Sequence, residues 1–542
     1  MWYHKGMEKH IDLSAMSREE LEAFAQKQQL AAEALQAQVE QYQELLRLGQ
    51  AKKYGTNSEQ AKALEGQIEM PLFNEAEAAS EGKENEPEPK LTSACPPRKK
   101  HVPKREKGKK PSQVAGVKRE TVVFTLTGED ALCPKCGQEL RKMKTVTRSE
   151  LEVTPPKVTV KNQVQTVYVC DHCEKTTGDT TIVSTPAPKP LLHSSYVSPS
   201  CAAWLFTRKY VGRDSLYQLE EELRGQGARF PRSTLSNWIL RLSEKFLDPL
   251  YEGLYRELLV RPALQLDETP VQVLHEEGRT PAQDSYMWVL VSGEEAAERP
   301  IALFHYAPSR KGEVIEQLLE GYQGAYVQAD GYEGYNGLET QFLRIGCLAH
   351  VRRKYAEVLK GAKDKSGRTW ELAKEGVAFC DTLFDLDREA KESRKKEQEL
   401  KEGKSKETLE QFTGWAEKNR ELCPEGTLLY KALRYTANQK EYLYNYLDAP
   451  GIRISNNVAE RAIRPFAVGR KIWLFCNTAR GAQASARAYS LVETAKANHL
   501  DPYAYLLEIF EWSRGKDTLS EADVQALLPW NEQIQKRCGK TD

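Results

Sequence analysis

No apolar run in this chain of 542 residues approaches the roughly 18 residues that a membrane-spanning helix requires. The opening MWYHKGMEKH also lacks the hydrophobic core of a secretory signal, so a cytoplasmic protein with no membrane partner is expected. Cysteine is sparse. Eleven residues, an odd number scattered along the chain with two close pairs, do not make a disulfide framework and point to a reducing compartment. There is no net charge either, but the balance hides segregation. Glu75, Glu77, Glu81, Glu84, Glu86 and Glu88 form an acidic block, and RKKHVPKREKGKK at 98–110 forms a basic one. A hydrophobic content of 40% with 29% charged residues is that of a globular protein. The length calls for several domains.

Proline and glycine are absent from Asp12 to Leu48, where Ala, Gln, Glu and Leu dominate with apolar residues at helical spacings. Residues 1–70 are therefore expected to hold a long helix or short coiled coil, which either dimerises or packs on its own chain. Residues 71–120 read as an acidic then basic linker, because their composition offers too little apolar area to offset chain ordering. Its basic run either touches DNA phosphates or is a solvated tether.

Two C-x-x-C pairs follow, Cys133 with Cys136 and Cys170 with Cys173, separated by β-type sequence. Four thiolates so spaced suit a tetrahedral structural zinc ion, and 121–185 is expected to be a small zinc module. The bland alternative is four unrelated buried thiols. Residues 186–255 read as helical, with a helix to about Leu223, a turn holding Gly225 and Gly227, and a second helix from Pro231. This rhythm is that of a helix-turn-helix, with Arg229, Arg232, Ser233 and Asn237 as candidate DNA contacts, although any helical hairpin can look the same.

From about Ala263 the period becomes that of strands. ALQLDETPVQVL, SYMWVLVSG and RPIALFHYA predict an antiparallel meander, SRKGEVIEQLLEGY a helix, GAYVQADGY a fourth strand, and QFLRIGCLAH a fifth leading into a helix. The expected class is thus multidomain α+β, with a ribonuclease H-like core at 256–500 (a mixed βββαβαβ sheet), a helical insertion at about 351–450 and a C-terminal helical segment at 501–542. The insertion's charge run is expected to be a solvated face. Asp267 and Asp330 close the apolar runs of the first and fourth strands, where a carboxylate is costly unless paired or bound to metal. Asp330 alone would read as the start of a turn.

Glu460 lies in SNNVAERAIRPFAVGRKIWLF, a lone acid among Arg461, Arg464, Arg470 and Lys471, with Asn456 and Asn457 as candidate caps of a short helix. A carboxylate among groups suited to phosphate makes sense if metal lies between acid and DNA. Asp267, Asp330 and Glu460 would then be hard oxygen ligands for Mg2+ or Mn2+, and the cations, with Arg352 and Arg353, would hold DNA. Cys347 and His350 have C-x-x-H spacing with no second pair, which favours packing or a phosphate-facing role over metal.

At these residues the chain resembles transposases of the insertion sequence sixty-six family, a DDE group of bacterial mobile elements. LDETPVQVL, ADGYEGYN, CLAHVRRKY, NNVAERAIRPFAVGRKIWLF and YSLVETAKANHLDPYAYL resemble successive family blocks, and LPW at Leu528 to Trp530 resembles the family's ending. The resemblance reaches upstream through the paired cysteines to YGTNSEQ. It implies that Asp267, Asp330 and Glu460 are the catalytic acids, that strand cleavage at element ends is followed by transfer into target DNA, and that double-stranded DNA and companion element proteins are partners. A homo-oligomer on DNA and a nucleoid location are expected with it. The chain departs from the family pattern at Ile472, where Asn is common, and at Asn477 and Thr478, where Gly-Ser is common. Two other readings stay open: a metal nuclease or resolvase on the same fold, and an inactive element protein that only binds DNA.

Overall fold

The computed structural model describes residues 157–163, 167–169, 182–184, 188–293, 298–336, 341–361 and 367–540. The expected N-terminal helix, the linker with its basic run, and Cys133, Cys136, Cys170 and Cys173 lie outside the described residues. One compact unit takes in Pro188–Leu219 and Pro231–Cys538, while Glu220–Phe230 falls with a second unit that includes the region of the paired cysteines. In that second unit, β1 (Val167–Val169) pairs antiparallel with β2 (Ile182–Ser184), Tyr168 opposite Val183. This β-type pair ends next to Cys170.

The first unit is mixed α+β. Its sheet contains β3 (Ala263–His275), β4 (Asp284–Ser292), β5 (Ala302–Ala307), β6 (Tyr326–Gln328) and β7 (Leu343–Ile345), in the order β5-β4-β3-β6-β7, and β8 (Cys476–Thr478) pairs with the far end of β3. The first three strands are the antiparallel meander that the alternating runs predict. Helix Gly312–Leu318 then carries the chain across, so β6 lies parallel to β3 and β7 parallel to β6.

Burial follows this topology. Ala263 to Leu266, at the end of β3 that lies between β4 and β6, are all buried, whereas further along β3 the buried Val271 and Val273 alternate with exposed Pro270 and Gln272. β6 reaches only to the level of Gln265, and Pro270 lies on the stretch of β3 beyond it. The Pro270 carbonyl there accepts from Arg470, and the N–H that proline lacks would point to that same side rather than into β4.

The open edge of β5 is covered by helix Ala479–Ala497. Ser490 Oγ accepts from Phe304 N at 2.7 Å and Thr494 Oγ1 from Ala302 N at 3.1 Å, which satisfies strand amides that would otherwise offer a pairing edge. Small residues Ala484, Ala488 and Ala495 on this helix are buried and allow the close approach. Helix Pro502–Trp512 returns to helix Pro199–Tyr210, where the Phe206 and Phe510 rings lie 5.4 Å apart.

The predicted insertion is helical: Arg368–Glu389, Lys406–Glu421 and Leu428–Asn438 share one apolar cluster with helix Leu348–Gly361, including Tyr355, Cys380, Phe412 and Leu433, and Leu400 of helix Arg394–Leu400 packs in a smaller cluster with Leu386 and Ala390. Its charge run is not wholly solvated. Asp387, Glu397 and Lys401 are buried, because they bind the loop that leads to Glu460. Lys401 Nζ donates to the carbonyls of Ala449 (2.6 Å) and Ile452 (3.1 Å) and pairs with Glu397, which accepts from Gly451 N. Asp387 accepts from Tyr446 Oη and Ile454 N.

Candidate active site

The parallel register of β3 and β6 sets Gln265 opposite Gln328. Side chains on a strand repeat every second residue, so Asp267 and Asp330 emerge one step further along the same face of neighbouring strands. The glutamines bond to each other at 2.8 Å, fixing the register from which the acids project. Asp330 lies two residues past the end of β6 and also opens a turn, its Oδ1 accepting from Tyr332 N at 3.0 Å. Asp267 accepts from Glu268 N at 2.9 Å.

Glu460 is in the first turn of helix Asn457–Trp473, which spans 17 residues with Pro465 inside it and is not the short helix expected. Asn456 occupies the cap position without capping. Its Nδ2 donates to Leu266 O at 2.7 Å instead, tying the helix start to β3, and Asn457 is the first helical residue. Gln265 Oε1 accepts from Ala459 N at 3.3 Å, and Gln328 Nε2 donates to Arg453 O at 2.8 Å. The same two glutamines that align the aspartates thus also hold the glutamate's helix. Both are buried, as is Glu460.

The neighbouring acids act on Asp267. Burial holds the Asp267 carboxyl well above the usual carboxylate range, and the neighbouring charges of Glu268, Glu460 and Asp330 push it in the same direction. Glu268 is a fourth acid at the site. Its carboxyl is also raised, by burial and then by Asp330, and it accepts from Arg310 Nε at 2.5 Å and from Tyr335 Oη at 2.8 Å. The Arg310 guanidinium lies 3.7 Å from the Tyr332 ring centroid. Glu460 receives Arg353 Nη2 at 3.2 and 3.4 Å, and His350 Nδ1 lies 3.6 Å away. Burial and the Arg353 charge lower the His350 imidazole. Like charges buried together favour a cation among them, and the oxygen donors fit a hard divalent ion.

The predicted DNA contacts divide. Arg353 turns to Glu460, Arg352 pairs with Asp381 at 2.6 Å, and Arg470 bonds Thr269 Oγ1 at 3.2 Å as well as Pro270 O. Arg461 and Lys471 are exposed and Arg464 is half-buried. Arg232, Ser233 and Asn237 are exposed on helix Arg232–Leu242, and Arg229 is exposed before it.

Gln265, Gln328, Glu268 and Arg310 were not predicted. For the glutamines a signal exists in the repeated Gln-x-Asp pattern of QLD within β3 and QAD at the end of β6. Arg310 has none, since only the fold brings it to Glu268.

Residues 194–484 match the family model described as Transposase IS66 family, 490–530 match the IS66 C-terminal element, and 130–174 match the zinc-finger binding domain of transposase IS66, a span containing all four paired cysteines. Relatives in Sinorhizobium fredii include the uncharacterized protein y4jD, 26% identical over 416 residues that cover 74% of this chain and 78% of the relative. The uncharacterized protein y4hP is 25% identical over 431 residues, 76% of this chain and 75% of the relative. No solved structure matches the chain. Among the described residues no helix is long and apolar enough to cross a membrane.

Proposed function

The chain belongs to the IS66 transposase family, and from that premise we propose that it cuts DNA strands at the ends of an insertion element and joins the freed 3′-hydroxyls to target DNA. The observation that carries the proposal is the facing pair Gln265 and Gln328, each two residues before an aspartate, which also holds the segment that opens the Glu460 helix. Three antiparallel strands continued by two parallel ones, with acids on the central β3 and its neighbour, support a ribonuclease H-like core.

Asp267, Asp330 and Glu460 would hold Mg2+ or Mn2+, which when bound activates the attacking oxygen and stabilises the leaving one in phosphodiester displacement. Gln265, Gln328 and Asn456 keep those carboxylates in place. Arg353 neutralises Glu460 in the free protein and is placed to turn to a phosphate once DNA arrives. Arg461, Arg464 and Lys471 extend a cationic surface along the same helix, Arg232, Ser233 and Asn237 on helix Arg232–Leu242 offer exposed contacts for DNA ends, and Arg229 is assigned separately as a further DNA contact. Cys133, Cys136, Cys170 and Cys173 would hold structural zinc in the module at 121–185. We assign 186–255 to DNA binding, 256–500 to catalysis and 501–542 to a C-terminal segment, in a homo-oligomer assembled on DNA with companion proteins of its element.

The test is cleavage and joining of labelled element ends with Mg2+. Asp267→Asn, Asp330→Asn and Glu460→Gln should each lower strand cleavage by more than about a hundredfold, since even outer partners of metal ligands contribute 10- to 100-fold. Cleavage unchanged in any of the three would refute the assignment. Free ends without joined products would make the protein a nuclease instead.

A further inference from the structure

Beside the oxygen-rich cluster lies a donor set of different chemistry. Cys347 immediately precedes helix Leu348–Gly361 and His350 is in its first turn. The start of this helix meets the start of the Glu460 helix, with Leu348 N donating to Ile454 O at 3.0 Å and Asn456 N to Cys347 Sγ at 3.2 Å. As a result one sulfur of Cys347, one ring nitrogen of His350 and one carboxylate oxygen of Glu460 all lie within 4.8 Å of one another.

The His350 ring supplies a second, independent observation. Its Nδ1 is shielded from solvent yet has no hydrogen-bond partner, an arrangement that ordinarily costs about 1–3 kcal/mol. Glu460 Oε1 lies 3.6 Å from it, too far for a hydrogen bond but close to the separation of two ligands on one ion with bonds of about 2.0–2.3 Å. A thiolate, an imidazole and a carboxylate are the donors that zinc prefers, and three protein ligands leave one tetrahedral position open.

We propose that Cys347, His350 and Glu460 form a second zinc-class metal site that shares Glu460 with the oxygen cluster of Asp267 and Asp330. Glu460 can then serve one partner set or the other. Zinc held by the thiol and imidazole draws Glu460 away from the aspartates, so zinc and magnesium compete through a single carboxylate. Binding at the site stands on its own geometry, whereas this effect on cleavage rests on the transposase reading above.

The experiment uses the full-length protein, purified zinc-replete, with Co2+ as the added probe. A thiolate-to-cobalt charge-transfer band should appear with one further ion per chain. It should vanish in Cys347→Ser, weaken in His350→Ala with loss of the tetrahedral visible bands, and persist in Asp267→Asn. Circular dichroism and thermal melting of each variant identify unfolding, and the half-buried His350 provides a variant less demanding on the core than Cys347. No band in the folded wild type, or an unchanged band in folded Cys347→Ser, overturns the site. In the cleavage assay, added Zn2+ should raise the Mg2+ requirement of wild type by roughly tenfold or more and leave that of Cys347→Ser where it is. An unshifted requirement in wild type overturns the sharing of Glu460. A protein that binds cobalt through Cys347 but never cleaves DNA refutes the transposase reading and leaves the metal site intact.

Discussion

Gln328 bonds Gln265, Gly346 O and Arg453 O at once, and is nearly inaccessible to solvent. Replacing it with Leu leaves buried acceptors without donors, so Gln328→Leu should lower unfolding free energy by about 1–3 kcal/mol in urea titration. It should lower cleavage further than that loss explains, because the register of the aspartates depends on the pair. Asp267, Asp330 and Glu460 were legible as sequence because a carboxylate ending an apolar run, or isolated among arginines, is unusual wherever it occurs. The glutamines carry no charge to draw attention, and their importance comes from being opposite each other, which a one-dimensional pattern does not state.

The insertion's helices act on the site through the loop at 449–456. Glu397 and Lys401 are one helical turn apart, a spacing that in sequence is the same as that of a solvated surface pair. In the fold both are buried, and Lys401 bridges Glu397 to two loop carbonyls. Lys401→Ala leaves Glu397 buried without its partner and should cost about 3–5 kcal/mol, measured by chemical denaturation. Cleavage should fall with it, since the loop feeds directly into Asn456 and Glu460. A surface pair of the same spacing would change stability by less than about 1 kcal/mol, which makes the two readings separable. The strands were legible from their period of two, and the length of the Glu460 helix was not. Pro465 reads as a terminator, but here it sits within a helix that continues to Trp473.

Across the whole molecule, stability should depend on pH through His305, which links the sheet to helix Asp248–Leu259 by accepting from or donating to Tyr251 Oη at 3.2 Å. Burial, with Arg487 nearby, pushes its imidazole down to about 4 from the ordinary 6.5. As pH falls below about 6.5 the unfolded chain takes up this proton before the folded one does, so the His305 contribution to stability declines until about pH 4 and changes no further below it, while the raised carboxyls of Asp267 and Glu268 act in the opposite direction. The His305 contribution should change by about 2 kcal/mol between pH 7 and pH 5, read as the difference between wild type and His305→Gln in urea titrations at the two pH values.

Removal of zinc by a chelator should unfold the module around the paired cysteines and weaken binding to element ends in a gel shift, while leaving unchanged any Mg2+ binding at the proposed site of Asp267, Asp330 and Glu460. The sequence by itself determined the strands and singled out the acids and the cysteine pairs as candidates, because local period, charge in an apolar setting and ligand spacing are properties of neighbours along the chain. The tertiary structure alone decided that Gln265 faces Gln328, that Glu397 and Lys401 are interior, and that Cys347 and His350 meet Glu460 across more than a hundred residues. Each of those depends on which segments are pressed together as water is excluded from the core, and no local pattern encodes that choice.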